Sequence, residues 1–162
     1  MQSTKDDLGK LILRLTLGIL LLFHGVSKVI NGVGFIEGMI TSHGLPSFLA
    51  YGAYLGEVLA PVLLILGVLT RLGGLLVVAN MLVAFSLVHL SQLGDLSKTG
   101  GWALELQGFY LLTGLCVILF GAGRYSVSGG RGAASVAPGP DTPTAHTALP
   151  LVPFTSARDA LK

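Results

Sequence analysis

The chain is short of charge and nearly without cysteine. Asp, Glu, Lys and Arg make up 11% of its 162 residues, against about 25% in ordinary globular chains. A soluble fold of this size needs far more polar surface to cover its core, so the scarcity excludes a soluble domain. The one cysteine, Cys116, excludes an internal disulfide, a CxxC redox pair and a thiolate metal cluster within the chain. In its apolar run Cys116 reads as a small packing residue. A formal net charge of +2 with no basic run argues against nucleic acid as a partner. No flavin or nicotinamide motif and no metal-ligand spacing is present. Any electrons would therefore come from a bound partner or from haem.

What is present is apolar. Hydrophobic residues reach 52%, mean hydropathy is +0.78, and the 23 glycines are about twice the usual ~7% share. Transmembrane helices tolerate glycine better than soluble ones do. The expectation is an integral membrane protein embedded in a lipid bilayer. The rare charges mark out its spans: 23 uncharged residues lie between Arg71 and Asp95, and 18 between Glu105 and Arg124. A requirement of ~20 apolar residues gives four spans, roughly 11–30, 48–69, 72–90 and 104–120. None alternates with period two, which disfavours a β-barrel, and an isolated span must satisfy its own backbone, which favours helix. The fold class expected is an all-α membrane protein, a bundle of four transmembrane helices over residues 1–126.

Lys5, Lys10 and Arg14 ahead of an apolar stretch resemble a signal peptide, but Gly25-Val26-Ser27 is a weak cleavage site and the span is read as retained. Lys5, Lys10, Arg71, Arg124 and Arg131 fall on one side of the four spans, so the positive-inside rule puts both termini in the cytoplasm. Between the first two spans, Phe35, Ile36, Met39 and Ile40 have the spacing of a short helix in the outer interface; an apolar loop is the alternative. Trp102 and Tyr125 suit interfacial anchoring. From 127 to 162 the chain is rich in Pro, Gly, Ser and Ala, and reads as a disordered cytoplasmic tail, passive or docking.

Ionisable residues inside spans cost at least ~2.5–3.5 kcal/mol at the centre, so each needs a reason. Arg14, about one turn in, can snorkel to lipid headgroups. At 1.5 Å per residue, Glu57 lies about 14 Å and His24 about 9 Å below the outer face, with Lys28, His89 and Glu105 within about one turn of it. His24 and Lys28 share a helix face. Five groups from four helices thus gather at one level, as a ligand or proton site or as a structural ion-pair network. Pro61 lacks the N–H that would bond the Glu57 carbonyl, so a kink with a freed acceptor is expected there. Gly52, Gly56 and Ala60 form a small-residue ridge for close helix approach. Asn80 reads as an interhelical hydrogen-bond residue, and Ser86 lies on the His89 side of its helix. His24 and His89 also raise bis-histidine haem ligation.

Several stretches resemble the DoxX family: Arg14-Leu15 through Gly18 to Phe23-His24-Gly25 and Lys28, then Gly44-Leu45-Pro46 with Glu57 and Leu66 to Arg71. Glu105-Leu106 with Tyr110, and Gly121 to Ser126, complete the likeness over roughly residues 8 to 127. The resemblance implies a small four-helix protein of the bacterial inner membrane. Its relatives are linked to quinone-linked oxidoreductases, thiol oxidation and oxidative stress. His24, Lys28, Glu57 and Glu105 match family motifs; His89 and Asn80 do not. The implied function is a membrane subunit of a redox or quinone/thiol stress system, acting with a soluble or membrane oxidoreductase subunit and binding a quinone-like molecule. A small-solute transporter or channel, formed as a homo-oligomer along Gly52 and Gly56, and a purely structural subunit are the alternatives.

Overall fold

The polar first turns of the chain extend its first helix beyond the apolar stretch. In the computed structural model, which describes residues 4–127, helix α1 runs Thr4–Asn31, with Asp6 and Asp7 in its first turn and Lys28 in its last. Both placements complement the helix dipole. At 28 residues it is about 42 Å long, more than a ~30 Å hydrocarbon slab requires. The chain then turns at Gly32 into a short helix α2, Gly34–Ser42, which takes the helical alternative for this segment.

The end of α2 explains the Gly44-Leu45-Pro46 motif. Gly44 adopts a left-handed φ of 74°, its N–H bonds the Thr41 carbonyl, and the Leu45 N–H reaches back to Ile40. These two bonds are a Schellman cap, and Pro46 cannot continue the helix. The second apolar helix, α3, covers Ser47–Leu66. It opens as a 3-10 turn to Tyr51, is α-helical from Gly52, and widens to a π-helical turn over Leu55–Leu59 before the α-helical Ala60–Leu66. Thus the missing N–H of Pro61 is accommodated by a change of hydrogen-bond register, with Glu57 inside the π turn. Gly67, left-handed, closes α3. Helices α4, Thr70–Leu87, and α5, Glu105–Phe120, complete the bundle.

Among the described residues there is no strand, only an isolated bridge between Leu96 and Trp102. Helices α1, α3 and α4 have the length and composition to cross a membrane; α5 is apolar but 16 residues long. Their interior faces meet in one core of Leu17, Leu21, Ala60, Leu64, Val77, Met81, Tyr110 and Val117. A smaller cluster of Val33, Ile40 and Ala50, with Leu87 against it, seats α2. Outward, Ile12, Phe23, Leu112 and Leu119 are exposed, as lipid-facing side chains are.

Arg14 corrects the snorkelling expectation. It is 2% exposed; Nη1 donates to the Leu64 carbonyl at 3.1 Å and Nη2 donates to the Tyr125 carbonyl. The last carbonyls of a helix lack intrahelical partners and carry the negative end of its dipole, so the guanidinium is drawn inward. Two turns earlier, Asp7 is also buried and accepts the Arg124 N–H at 3.1 Å. The start of α1 and the segment after α5 are therefore tied at one end of the bundle. Trp102 stacks on Phe85 and donates Nε1–H to the Leu93 carbonyl. Residues 128–162, which carry the expected tail, lie outside the described residues.

Candidate functional site

The opposite end of the bundle is hollow. Here α1, α3, α4 and α5 line, beneath α2, a cavity of about 830 Å³. Its walls are mainly apolar, with Phe35, Ile36 and Met39 of α2 facing Leu45 and Leu49. Into it the helices bring His24, Lys28, Glu57, Asn80, His89 and Tyr110. Four of the five expected site residues thus line one space.

Glu57 lies at the centre of the polar groups. It is 8% exposed because α1 passes close by at Gly25, where any Cβ would collide with the Glu57 carbonyl. Its carboxylate pairs with the Lys28 ammonium through Oε2 and accepts Asn80 Nδ2–H on Oε1 at 3.2 Å. The reverse orientation of the Asn80 amide would set oxygen against carboxylate, so donation from nitrogen is the arrangement that physics selects. Asn80 in turn fits because Gly56 has no side chain to meet it. The main chain of Lys28 is held as well, its carbonyl accepting Tyr54 O–H at 3.2 Å. Of the expected ridge, Gly56 and Ala60 are packed, while Gly52 faces open space.

His24 and Tyr110 form a second pair. The Tyr110 hydroxyl is 3.4 Å from His24 Nε2, and the rings meet edge to face with centroids 5.9 Å apart. Sequence reasoning gave Tyr110 no site role. The signal was a hydroxyl mid-way along an apolar helix, which needs a partner when buried.

His89 lines the same cavity with its ring already engaged. Nδ1 lies 2.9 Å from Gln92 Oε1, and Nε2 lies 3.5 Å from Gln107 Nε2. With a glutamine side chain against each of its ring nitrogens, His89 does not fit as the second axial ligand of a haem, and no step is drawn through one. Ser86 turns back to the Leu82 and Val83 carbonyls.

Glu105 is not brought to the site. It is exposed, with its carboxylate over the Gly101 backbone in the first turn of α5, where it complements the helix dipole. Counting depth along the helix put it at the right level. The cavity is lined from α5 by Leu106, Gln107 and Tyr110, and Glu105 points about 140° away from Tyr110 at 100° per residue.

A family model described as DoxX matches residues 9–90 of the chain. The matched span takes in most of α1 and all of α2, α3 and α4, with His24, Lys28, Glu57 and Asn80, and ends before α5. A protein of Bacillus subtilis (strain 168) named "Putative oxidoreductase CatD" is 37% identical over 84 residues, which is 52% of this chain and 62% of that protein. The chain therefore aligns with about three-fifths of that relative's length. No solved structure matches the chain.

Proposed function

The chain belongs to the DoxX family, a membrane protein, and from that premise we propose that it is the membrane subunit of a redox system acting on quinone-like or thiol stress compounds. In this reading α1, α3, α4 and α5 all cross the bacterial inner membrane, both chain ends lie in the cytoplasm, and the cavity opens toward the outer face. The observation that carries it is the pairing of a largely apolar cavity with His24, Lys28, Glu57 and Tyr110 at its inner end. Reduction of a quinone takes up two protons with two electrons. Ionisable groups at membrane depth suit that demand better than they suit an inert core. Electrons come from a partner oxidoreductase subunit, and the relative whose name is that of an oxidoreductase favours the same theme.

One observation favours a second reading. The Lys28–Glu57 pair with Asn80 neutralises its own charge, as a structural network would. Glu57→Gln separates the two. In cells challenged with a benzoquinone, the redox reading expects resistance to fall while the amount of protein in the membrane is kept. Loss of abundance in step with resistance supports the structural network, and full resistance with normal abundance refutes the site. Native purification with mass spectrometry of co-eluting proteins and lipids then identifies the partner or the bound quinone; recovery of neither counts against the redox reading.

A further inference from the structure

The hydrogen-bond inventory of the cavity says which kind of ligand it accepts. Each oxygen of the single carboxylate accepts one hydrogen bond, from Lys28 or from Asn80, and the remaining lone pairs lie on the more buried side chain of the pair. Lys28, by contrast, has three N–H groups and gives one to Glu57, so two have no protein partner among the described residues. The ammonium is also the more open half of the pair, with its side chain 25% exposed against 10% for Glu57. The His24–Tyr110 pair adds a further donor. If Nε2–H donates to the hydroxyl, the Tyr110 hydrogen is left over; if Tyr110 donates, the Nδ1–H of His24 is left over. The polar end of the cavity therefore presents spare donors, headed by a cation, and holds its anion behind them. Above them the walls from α2 and the start of α3 are apolar.

We propose that the ligand is an amphiphile whose apolar body ends in a hydrogen-bond-accepting oxygen, neutral or singly anionic, held by Lys28 and the His24–Tyr110 pair, with Glu57 as a positioning residue behind Lys28. This rests on the functional reading above and deepens it, because it assigns contact to Lys28 rather than to Glu57. A cationic amine is disfavoured on the same ground. It would meet the exposed ammonium before it could reach the engaged carboxylate.

The shared chemistry has two sources, a quinone and a fatty acid, and three probes of similar length sort them: 2-decyl-1,4-benzoquinone, dodecanoate and dodecylamine. Binding to the purified full chain in detergent is measured by calorimetry and by displacement of the quinone. The expected order is benzoquinone or dodecanoate ahead of dodecylamine by at least tenfold, with Lys28→Met weakening the oxygen ligands about tenfold. Glu57→Gln shifts preference toward dodecanoate, since it leaves the ammonium uncompensated, and a purely structural loss would not produce that shift. In the double variant Lys28→Met/Glu57→Gln, affinity equals that of Lys28→Met alone, because a positioning residue has nothing left to position. Replacing both partners of a buried pair is tolerated where removing one is not, so the double variant remains informative if a single variant fails to fold.

Binding of dodecylamine as tight as that of the oxygen probes overturns the proposal, as does binding of none of the three, or a further loss in the double variant. Dodecanoate bound through Lys28 with no benzoquinone binding upholds the proposal and removes the quinone reading instead. An amine preference with quinone resistance still dependent on Glu57 does the reverse.

Discussion

Two glycines on facing helices should respond oppositely to the same added methyl group. At Gly25 of α1 a Cβ would overlap the Glu57 carbonyl oxygen and stand 2.6 Å from its carbon and 2.9 Å from Val58 Cγ2. At Gly52 of α3 nothing lies within 4 Å, and its φ of −56° and ψ of −26° are ordinary right-handed helix. Replacing either glycine by alanine gains about 0.5–1 kcal/mol of helical preference. For Gly52 that gain is the whole effect. For Gly25 it is opposed by overpacking, typically about 1–3 kcal/mol. The atoms in the way belong to the backbone of the π turn, which cannot rotate aside, so the upper part of that range applies. Gly25→Ala should therefore lose about 1–2 kcal/mol net and Gly52→Ala gain up to about 1 kcal/mol, a separation of about 2–3 kcal/mol.

The assay is reversible unfolding in mixed SDS and dodecylmaltoside micelles, followed by far-ultraviolet circular dichroism. Because the Gly25 clash is with the residue that carries the Lys28 pair, the same variant should also weaken benzoquinone binding, whereas Gly52→Ala should leave the pair in place. Equal stability for the two variants, or the reverse order, would refute the claim that α1 and α3 are held in contact at the Glu57 turn.

Arg14→Lys should destabilise the chain by about 1.5–3 kcal/mol, because an ammonium replaces a guanidinium that bonds two carbonyls from different elements; micelle unfolding reads it, and an unchanged midpoint would return Arg14 to a lipid-facing role. Tyr110→Phe removes the hydroxyl paired with His24 and keeps the ring packing. It should cost about 0.5–1.5 kcal/mol of stability and lower benzoquinone affinity several-fold, and unchanged affinity in calorimetry would take Tyr110 out of the ligand contacts.

The apolar helices were legible because charge is scarce and stands mostly near their ends. The outline fails where polar residues continue a helix: α1 begins at Thr4, seven residues before the apolar stretch, since Asp6 and Asp7 are good first-turn residues that hydropathy discards. The Glu57–Pro61 spacing revealed a freed carbonyl. Whether the helix answers with a kink or a π turn depends on what packs there, and Gly25 supplies that from α1. Depth could be counted for every ionisable residue, but facing and partners could not. Glu105 has the right level on the wrong face, and Arg14 finds its carbonyls 50 and 111 residues away. Residue type and depth are local properties of a helix, while partners are set by how helices rotate against one another.

That rotation leaves the two ends of the bundle unequal, with a consequence for ligand entry. At one end Asp7 and Arg14 grip the backbone of residues 124 and 125, and spreading the helices there would strand buried charges. At the other, α2 closes the cavity with Val33 and Ile40 seated on Ala50, while Phe35 is 74% exposed. A nine-residue helix depends on packing for its stability, and this small cluster is all that seats α2, so displacing it should cost less than parting the bundle core. Ligand should thus pass by movement of α2 and leave the tied end undisturbed. Hydrogen exchange in nanodiscs reads this directly. With 2-decyl-1,4-benzoquinone added, amides of residues 34–45 should slow while those of residues 121–127 stay unchanged. Equal slowing at both ends would mean that the whole bundle tightens, and α2 would lose its distinct role.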